Sequence, residues 1–272
     1  MKDNISMILE LLRTKKNYDF SGCSYEMLTR RIKMRFYATG SADIEAYYQY
    51  LQSHPEEYEL LMQAITIKVS HFFRNPLDFE IISRVLGYLM QKKQEQKAPL
   101  RIWSAGCATG EEAYSMAILA AELLTGKSCA VEIFATDIDS EVLERARKGV
   151  YKAEFLKEVK YGFMQKYFIA YDDGFELKAS IRRMVNFSFH DLLSSNNKVP
   201  SMSIYGNFDI VLCRNVMIYY NSRFQDKMQT RLYESLNIGG YLMLGEAESV
   251  LGKYQGCLKQ VAPMSKIYRK NG

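Results

Sequence analysis

The sequence has few of the residues that build metal or disulfide sites. It contains five cysteines and three histidines in 272 residues, and no two cysteines form a C-x-x-C pair. An odd number of scattered cysteines predicts reduced thiols and not a disulfide framework. The histidines are not spaced as metal ligands either. We therefore expect no metal site.

Long apolar segments are also lacking. Runs such as 117–121 are far too short to cross a bilayer, and the first residues lack the apolar core of a secretory signal. The sequence predicts a cytoplasmic protein without direct membrane insertion. A net charge of +5 with 48% hydrophobic residues is ordinary for a soluble globular protein. This charge permits nucleic acid or an acidic protein surface as a partner, and it requires neither.

The N-terminal part carries helical signals. Apolar residues recur at helical spacing between positions 25 and 36, and Gly40 is placed to end that helix. The basic residues of this helix are Arg30, Arg31, Lys33 and Arg35. A second amphipathic stretch covers 44–51, and residues 53–56 have the form of a capping box that opens a helix to about Ile67. We predict an all-α domain over 1–67.

Beyond this domain, a linker and a helix over 68–92 are expected to contribute to the active site. Strands and helices then alternate over 93–272. Strands are predicted at 100–104, 130–136, 184–189, 208–213, 240–244 and 265–269, and helices at 111–124, 140–148 and 223–236. This alternation predicts an α/β domain with a parallel, Rossmann-like sheet, whose last strand runs antiparallel. Residues from about 161 to 183 interrupt the pattern and predict a small β subdomain with an Asp-Gly hairpin turn.

The segment after the first predicted strand is the most informative. It reads SAGCATGEE over 104–112, a turn with two glycines that leads into a helix. Gly106 allows a ligand to approach the backbone closely. The pattern is neither a dinucleotide fingerprint nor a P-loop. Glu111 and Glu112 at the helix start favour a cationic or hydroxyl-bearing ligand over a pyrophosphate, and stabilisation of the helix dipole is the alternative interpretation.

A second candidate ligand follows the next strand. Asp137 ends this strand, where an acid can accept hydrogen bonds from ribose hydroxyls. Asp139 has a sufficient structural explanation as the N-cap of the following helix. Asp137 has no such explanation at this level, so it is the better ligand candidate.

At this point the sequence resembles a known family, the chemotaxis receptor glutamate methyltransferases of the CheR type. Four segments carry the resemblance, which extends over nearly the whole chain: SHFFRNP at 70–76, SAGCATGEE at 104–112, ATDID at 135–139 and FDIVLCRNVMIYY at 208–220. The resemblance implies a helical domain followed by a Rossmann-like domain that binds S-adenosylmethionine (SAM) and carries a β subdomain. It also implies that methyl groups are transferred to glutamate side chains of chemoreceptors, with S-adenosylhomocysteine (SAH) as the product.

The resemblance also implies a set of cofactor contacts. They fall on Lys68, Ser70, Arg74, Glu111, Asp137, Asp191, Leu192, Arg214 and Asn215. Lys68 stands where the family usually has asparagine, which leaves its contact open. Arg74 is a candidate to orient the acceptor or the cofactor carboxylate, with a salt bridge between domains as the alternative. Tyr219 is a candidate for the acceptor slot, and a core position is an equal alternative.

The expected partners are the cytoplasmic methylation helices of chemoreceptors. These helices are rich in glutamate, and the basic residues Arg30, Arg31, Lys33 and Arg35 would complement them. The tight turn at 172–174 favours direct docking over capture of a C-terminal receptor tether. A nucleic-acid methyltransferase is a weaker interpretation, because 214–217 lacks the signature of base methylation and no aromatic platforms interleave with the basic residues. A non-catalytic SAM sensor is a third interpretation, and measured turnover would exclude it.

Overall fold

The computed structural model describes residues 2–16, 20, 22–65, 70–124, 129–194, 199–200, 203 and 206–272. Within the chain, two compact units are distinguished. The first comprises Met1–Lys68 together with Ile218–Gln225, and the second comprises Val69–Met217 together with Asp226–Gly272.

The first unit is helical. Its helices are α1 (Lys2–Lys16), α2 (Tyr25–Thr39), α3 (Ile44–Ser53) and α4 (Pro55–Ile65). Apolar side chains from all four helices form its core, among them Ile8, Leu12, Leu28, Ile32, Leu51 and Leu61. Gly40 ends α2 with a φ of 68°, as the sequence predicts, because glycine adopts this left-handed conformation without steric cost.

The capping box predicted at 53–56 is wrong. Ser53 is the last residue of α3, and its hydroxyl donates to the carbonyl oxygens of Gln49 and Tyr50 at 3.2 and 3.1 Å. It therefore satisfies carbonyls of the preceding helix and does not cap the next one. Pro55 does open α4, at a position where the missing backbone N–H costs nothing.

The second unit is built around a mostly parallel sheet. Its elements before the sheet interruption are α5 (Pro76–Glu95), β1 (Leu100–Ala105), α6 (Glu111–Leu123), β2 (Val131–Asp137) and α7 (Ser140–Lys148). The small β subdomain follows, with β3 (Val150–Lys152), a 3-10 helix (Ala153–Leu156), α8 (Tyr161–Tyr167), β4 (Phe168–Tyr171), β5 (Gly174–Leu177) and α9 (Ala179–Arg182). The remaining elements of the chain are β6 (Val185–Phe189), β7 (Phe208–Cys213), the 3-10 turn Met217–Tyr219, α10 (Ser222–Ser235), β8 (Leu236–Leu244), the 3-10 turn Gly252–Tyr254, β9 (Leu258–Gln260) and β10 (Ile267–Lys270). Within this stretch Ile218–Gln225, which includes the end of the first 3-10 turn and the start of α10, belongs to the first unit.

Among the described residues the main sheet has seven strands in the order β6-β2-β1-β7-β8-β10-β9. The first five of these strands are parallel to one another, and β10 is antiparallel to β8, as predicted. The sequence reading missed β9, a three-residue edge strand that pairs only with β10. The fold class is therefore confirmed: an α/β domain and an all-α domain.

The β subdomain is larger than the predicted hairpin. β4 and β5 pair as expected around a two-residue turn, and Asp172 in this turn has a φ of 44°. A third strand, β3, pairs with the other edge of β5, which starts the subdomain sheet at Val150 and not near 161. Three residues are too few to show a period of two, so no local pattern predicts this strand.

No helix in the described part of the chain combines the length and apolar character needed to span a bilayer.

Candidate active site

The predicted site lies where four parallel strands end. Ala105 of β1 is paired with Thr136 of β2, and Asp137 is paired with Phe189 of β6. The loops after these strands and after β7 therefore meet at one edge of the sheet. In open α/β sheets this carboxyl edge is where ligands bind.

The loop between β1 and α6 has a backbone that requires glycine. The N–H groups of Gly106 and Cys107 both donate to the carbonyl of Thr136, at 2.8 and 2.9 Å. Gly106 has a φ of 75°, and a Cβ atom there would lie 2.4 Å from Cγ2 of Val216. Any other residue would strain the backbone and collide with the loop after β7. The turn at Gly106, predicted to let a ligand approach the backbone closely, is thus also a tight contact between two loops.

Glu111, the first residue of α6, is a buried acid. Its side chain accepts hydrogen bonds from the hydroxyl of Thr109, at 2.7 and 2.9 Å to its two oxygens, and from Ser70. Burial raises the pKa of Glu111 to about 7, because a charge is costly to move out of water. Its described neighbours are hydroxyl groups, which stabilise the carboxylate without neutralising it. A cationic ligand would supply the positive charge that neutralises this carboxylate.

Glu112 has a different role from the one its position suggests. Its carboxylate accepts from the Ser104 hydroxyl at 2.7 Å and pairs with Nη1 of Arg214 at 3.5 Å. Both of its oxygens are therefore engaged inside the unit. Of the two acids at the start of α6, only Glu111 is left to face a cationic ligand.

Arg214, expected to contact the cofactor, has internal partners at both terminal nitrogens, while its buried Nε has no hydrogen-bond partner among the described residues. Its Nη2 donates to the carbonyl of Arg74 at 2.6 Å and to Oδ1 of Asn75 at 2.7 Å, and its guanidinium lies over the ring of Phe79. Together with the pairing to Glu112, these contacts fasten the segment that carries Arg74 to the loop after β7. The structure supports a positioning role for the Arg214 side chain.

Asp137 does have a structural role, contrary to the sequence interpretation. Its Oδ2 accepts from the N–H of Ala108 at 2.9 Å, and its Oδ1 accepts from the N–H of Asp139 at 3.0 Å. Burial raises its pKa above the usual value. Each carboxylate oxygen has a second lone pair, so Asp137 can shape this loop and still accept from a hydroxyl. Asp139 caps α7, as predicted, by accepting from the N–H groups of Glu141 and Val142.

The other loops at this edge carry the remaining predicted residues. Oδ1 of Asp191 accepts from the N–H of Leu193 at 2.7 Å, which closes a turn that also contains Leu192. Asn215 follows β7 with a φ of 59°, a left-handed conformation that asparagine tolerates better than most residues.

The sequence reading missed Glu248, which organises the loop after β7. This buried side chain accepts from four backbone N–H groups at 2.7 to 3.0 Å, those of Asn215, Val216, Met217 and Gly245. The only signal in the sequence is an acid four residues after β8, which does not show that the side chain turns back towards β7.

Two predicted residues do not belong to the described part of the second unit. Lys68 lies outside the described residues. Tyr219 belongs to the first unit, where it packs against the helical core and its carbonyl accepts from the N–H of Ser24 at 2.8 Å. This packing agrees with the alternative interpretation of Tyr219, and its role in the acceptor slot stays a prediction.

The basic residues of α2 also differ from one another. Arg35 forms a two-pronged ion pair with the buried Glu57, at 2.9 and 2.6 Å, and Glu57 also accepts from the hydroxyl of Tyr47. Arg35 is therefore part of the internal packing and is removed from the docking set. Arg30 is exposed, and Lys33 and Arg31 are half-buried.

Two family models match this chain. The all-alpha domain of the CheR methyltransferases matches residues 3–66, and their SAM binding domain matches residues 68–266. The chain belongs to the CheR methyltransferase family. Its cofactor is therefore SAM, and the helical and α/β parts correspond to the two domains of this family.

Several relatives of this CheR family member cover most of its length. Cher3 of Pseudomonas putida is 31% identical over 98% of this chain and 96% of its own. Chemotaxis protein methyltransferase 2 of Pseudomonas aeruginosa is 34% identical over 83% of this chain and 77% of its own. The chemotaxis protein methyltransferase of Salmonella typhimurium is 31% identical over 82% of this chain and 76% of its own.

Solved structures are similar over smaller parts. PKMT2 from Rickettsia typhi in complex with AdoHcy is 15% identical with a TM-score of 0.33, over 54% of this chain and 22% of that chain. At this TM-score the likeness supports no conclusion about substrate or ligand.

The residues at the sheet edge fit SAM. The Gly106 turn leaves no room for a side chain, Glu111 is a buried acid without a cation among its described neighbours, and Asp137 has lone pairs left for hydroxyls. The described residues contain no cluster of three or more His, Cys, Asp or Glu side chains that could hold a metal ion.

Proposed function

We propose that this protein transfers the methyl group of SAM to glutamate side chains of chemoreceptors, forming glutamyl methyl esters in the cytoplasm. Membership of the CheR family and relatives named chemotaxis protein methyltransferases support this protein-glutamate O-methyltransferase activity. The single observation that carries the cofactor assignment is the buried Glu111 beside the loop shaped by Asp137.

Each residue at the sheet edge has a proposed part in holding SAM. Glu111 receives the ammonium group of the methionine portion, and its ionisation is favoured once that cation is present. Asp137 accepts from the ribose hydroxyls, and Gly106 lets the ligand approach the backbone. Asp191 and Leu192 contact the adenine end. The further proposed contacts are Ser70, Arg74 and Asn215.

The proposed methyl transfer does not depend on acid–base catalysis. Bound SAM supplies an electrophilic methyl group on a sulfonium, and a glutamate carboxylate is already ionised at neutral pH. The chain therefore needs no general base, unlike an enzyme that methylates alcohols or amines. Its residues align the acceptor and exclude water from it, and alignment of this kind can contribute about 7 kcal/mol or more. We propose that Arg74 orients the acceptor or the SAM carboxylate by a forked contact.

We propose that α2 is the receptor-docking surface. Arg30, Lys33 and Tyr37 are three and four residues apart, so they lie along one face of this helix, and Arg30 and Tyr37 are exposed. A cationic face matches glutamate-rich receptor helices and accelerates their association. We propose direct docking and no capture of a receptor tether.

The proposed activity is tested with methyl-labelled SAM and a receptor cytoplasmic fragment. Carboxyl methyl esters release volatile methanol in mild alkali, so the incorporated label should be released on alkali treatment. Label that survives alkali would show methylation of nitrogen and refute the ester assignment. Incorporation into nucleic acid in place of the receptor fragment would favour the nucleic-acid methyltransferase.

The docking surface is tested by charge reversal. Arg30→Glu with Lys33→Glu should lower receptor methylation at limiting receptor about tenfold or more, with SAM affinity unchanged. A matched control reverses Arg84 and Lys92, which are exposed on α5 in the second unit. Equal loss in both double variants would contradict docking on α2.

A further inference from the structure

Arg231 of α10 makes a set of contacts that the proposed function does not use. Its Nη1 donates to the carbonyl oxygens of Asp191 at 3.3 Å and Leu192 at 2.7 Å. Its Nη2 donates to the carbonyl oxygen of Ser194. One guanidinium thus donates hydrogen bonds to three carbonyl oxygens of a single turn, the one that follows β6.

These contacts fix which way the turn faces. In a planar trans peptide the N–H points opposite to the preceding carbonyl. Because the carbonyls of Asp191 and Leu192 point towards Arg231, the N–H groups of Leu192 and Leu193 point away from it. The N–H of Leu193 donates to Oδ1 of Asp191 at 2.7 Å, which places the Asp191 carboxylate on that far side as well.

The far side of the turn therefore presents a donor next to an acceptor. The donor is the N–H of Leu192, and the acceptor is the carboxylate of Asp191. Adenine offers the complementary pair, a ring nitrogen that accepts beside an amino group that donates. Hypoxanthine has a carbonyl oxygen in place of the amino group, so the same turn would set that oxygen against a carboxylate.

We propose that Arg231 is a positioning residue for the adenine end of SAM and acts through the turn Asp191–Ser194. This inference rests on the proposed assignment of Asp191 and Leu192 to the cofactor. A guanidinium suits the task because its planar fork carries several N–H groups in fixed directions, whereas a lysine ammonium is a compact point charge. Arg231 does not touch the cofactor in this scheme.

The experiment compares two ligands in calorimetry: SAH and S-inosylhomocysteine, which differ at the amino group of the base. Wild-type protein should prefer SAH by about tenfold or more, since a mismatched hydrogen bond to a charged group costs at least that much. Arg231→Met should weaken SAH binding about tenfold and reduce the preference to within about threefold. Arg231→Lys should lie between the two, and it keeps the test valid if the methionine variant does not fold.

The matched control is Lys270→Met. Lys270 also donates to two backbone carbonyls, those of Tyr233 and Leu236 at 2.8 and 2.9 Å, near the end of the same helix. This variant should lose thermal stability while keeping the preference for SAH. In the receptor assay, Arg231→Lys should raise the KM for SAM with kcat and the KM for receptor nearly unchanged.

The outcomes separate this inference from the proposed function. Wild-type protein that binds neither ligand would refute the SAM site itself. Wild-type protein that binds both ligands equally would show that the turn does not recognise the adenine amino group, which would refute the inference. If the Arg231 variants lose affinity for both ligands in equal proportion, Arg231 is merely structural and the inference fails while the proposed function stands.

Discussion

Replacing Glu111 with glutamine should stabilise the ligand-free protein and lower its affinity for SAM. Glu111 is only 1% exposed, and burial raises its pKa to about 7 in the folded state, against 4.5 ordinarily. Between these two pH values the folded protein retains a proton that the unfolded chain has released. The contribution of Glu111 to stability therefore falls as the pH rises from about 4.5 to about 7, and the full penalty applies above that range.

The size of this penalty follows from the two pKa values. At about 1.4 kcal/mol per pH unit, their difference corresponds to about 3 kcal/mol in the free energy of unfolding. Glutamine has nearly the same shape and no charge, so Glu111→Gln should remove this pH-dependent cost. The stability difference between variant and wild type should thus grow by about 2 to 3 kcal/mol between pH 5 and pH 8.5, because a small part of the penalty is already present at pH 5.

Urea unfolding at a series of pH values measures this difference directly. A matched control is Glu141→Gln, which changes an exposed acid in the first turn of α7 and should give no such growth with pH. The same variant should lose SAM affinity although it gains stability. In calorimetry at pH 8, Glu111→Gln should bind SAM at least tenfold more weakly, because an amide does not attract an ammonium group as a carboxylate does. A stability difference that is the same at pH 5 and pH 8.5 would refute the reasoning.

Three further changes have defined outcomes. Gly106→Ala should weaken SAM binding at least tenfold in calorimetry. Adding Val216→Ala should recover only part of the lost affinity, because it removes the clash but not the strain of the left-handed backbone. Full recovery of the affinity would show that this strain is unimportant. Asp137→Ala should also bind SAM at least tenfold more weakly, and an unchanged Kd would exclude Asp137 as a ligand. Arg35→Met should lower the free energy of unfolding by about 3 kcal/mol, because it leaves the buried Glu57 carboxylate without its cation. Adding Glu57→Gln should restore part of this loss, and a double variant as unstable as Arg35→Met alone would contradict this account.

The elements that the sequence predicts well are those whose own residues determine them. β7 was predicted at 208–213 and occupies those residues, because all six side chains are buried and form a continuous run. β8 instead begins at Leu236, four residues before the predicted start, where Asn237 and Gly239 interrupt the apolar pattern. The short strands β3 and β9 are held by pairing with distant strands, which local sequence does not reveal.

The same distinction holds at the site. The sequence places Glu111, Glu112 and Asp137 near one edge of the sheet. The two glutamates begin the helix after the first predicted strand, and Asp137 follows the second predicted strand. It does not show which acids are already engaged. That depends on Arg214 for Glu112 and on the N–H groups of Ala108 and Asp139 for Asp137, contacts that only the folded chain creates.

Glu248 illustrates how demanding such a contact can be. Glutamine would match its length and shape but has one accepting oxygen and an NH2 group, which would point N–H bonds at donors of the same kind. Gly245 is equally constrained, since a methyl group there would lie 2.7 Å from the nitrogen of Asn215 and 2.8 Å from Oε2 of Glu248. Gly245 and Glu248 therefore constrain each other, and a change at either position would release the left-handed Asn215 some thirty residues upstream.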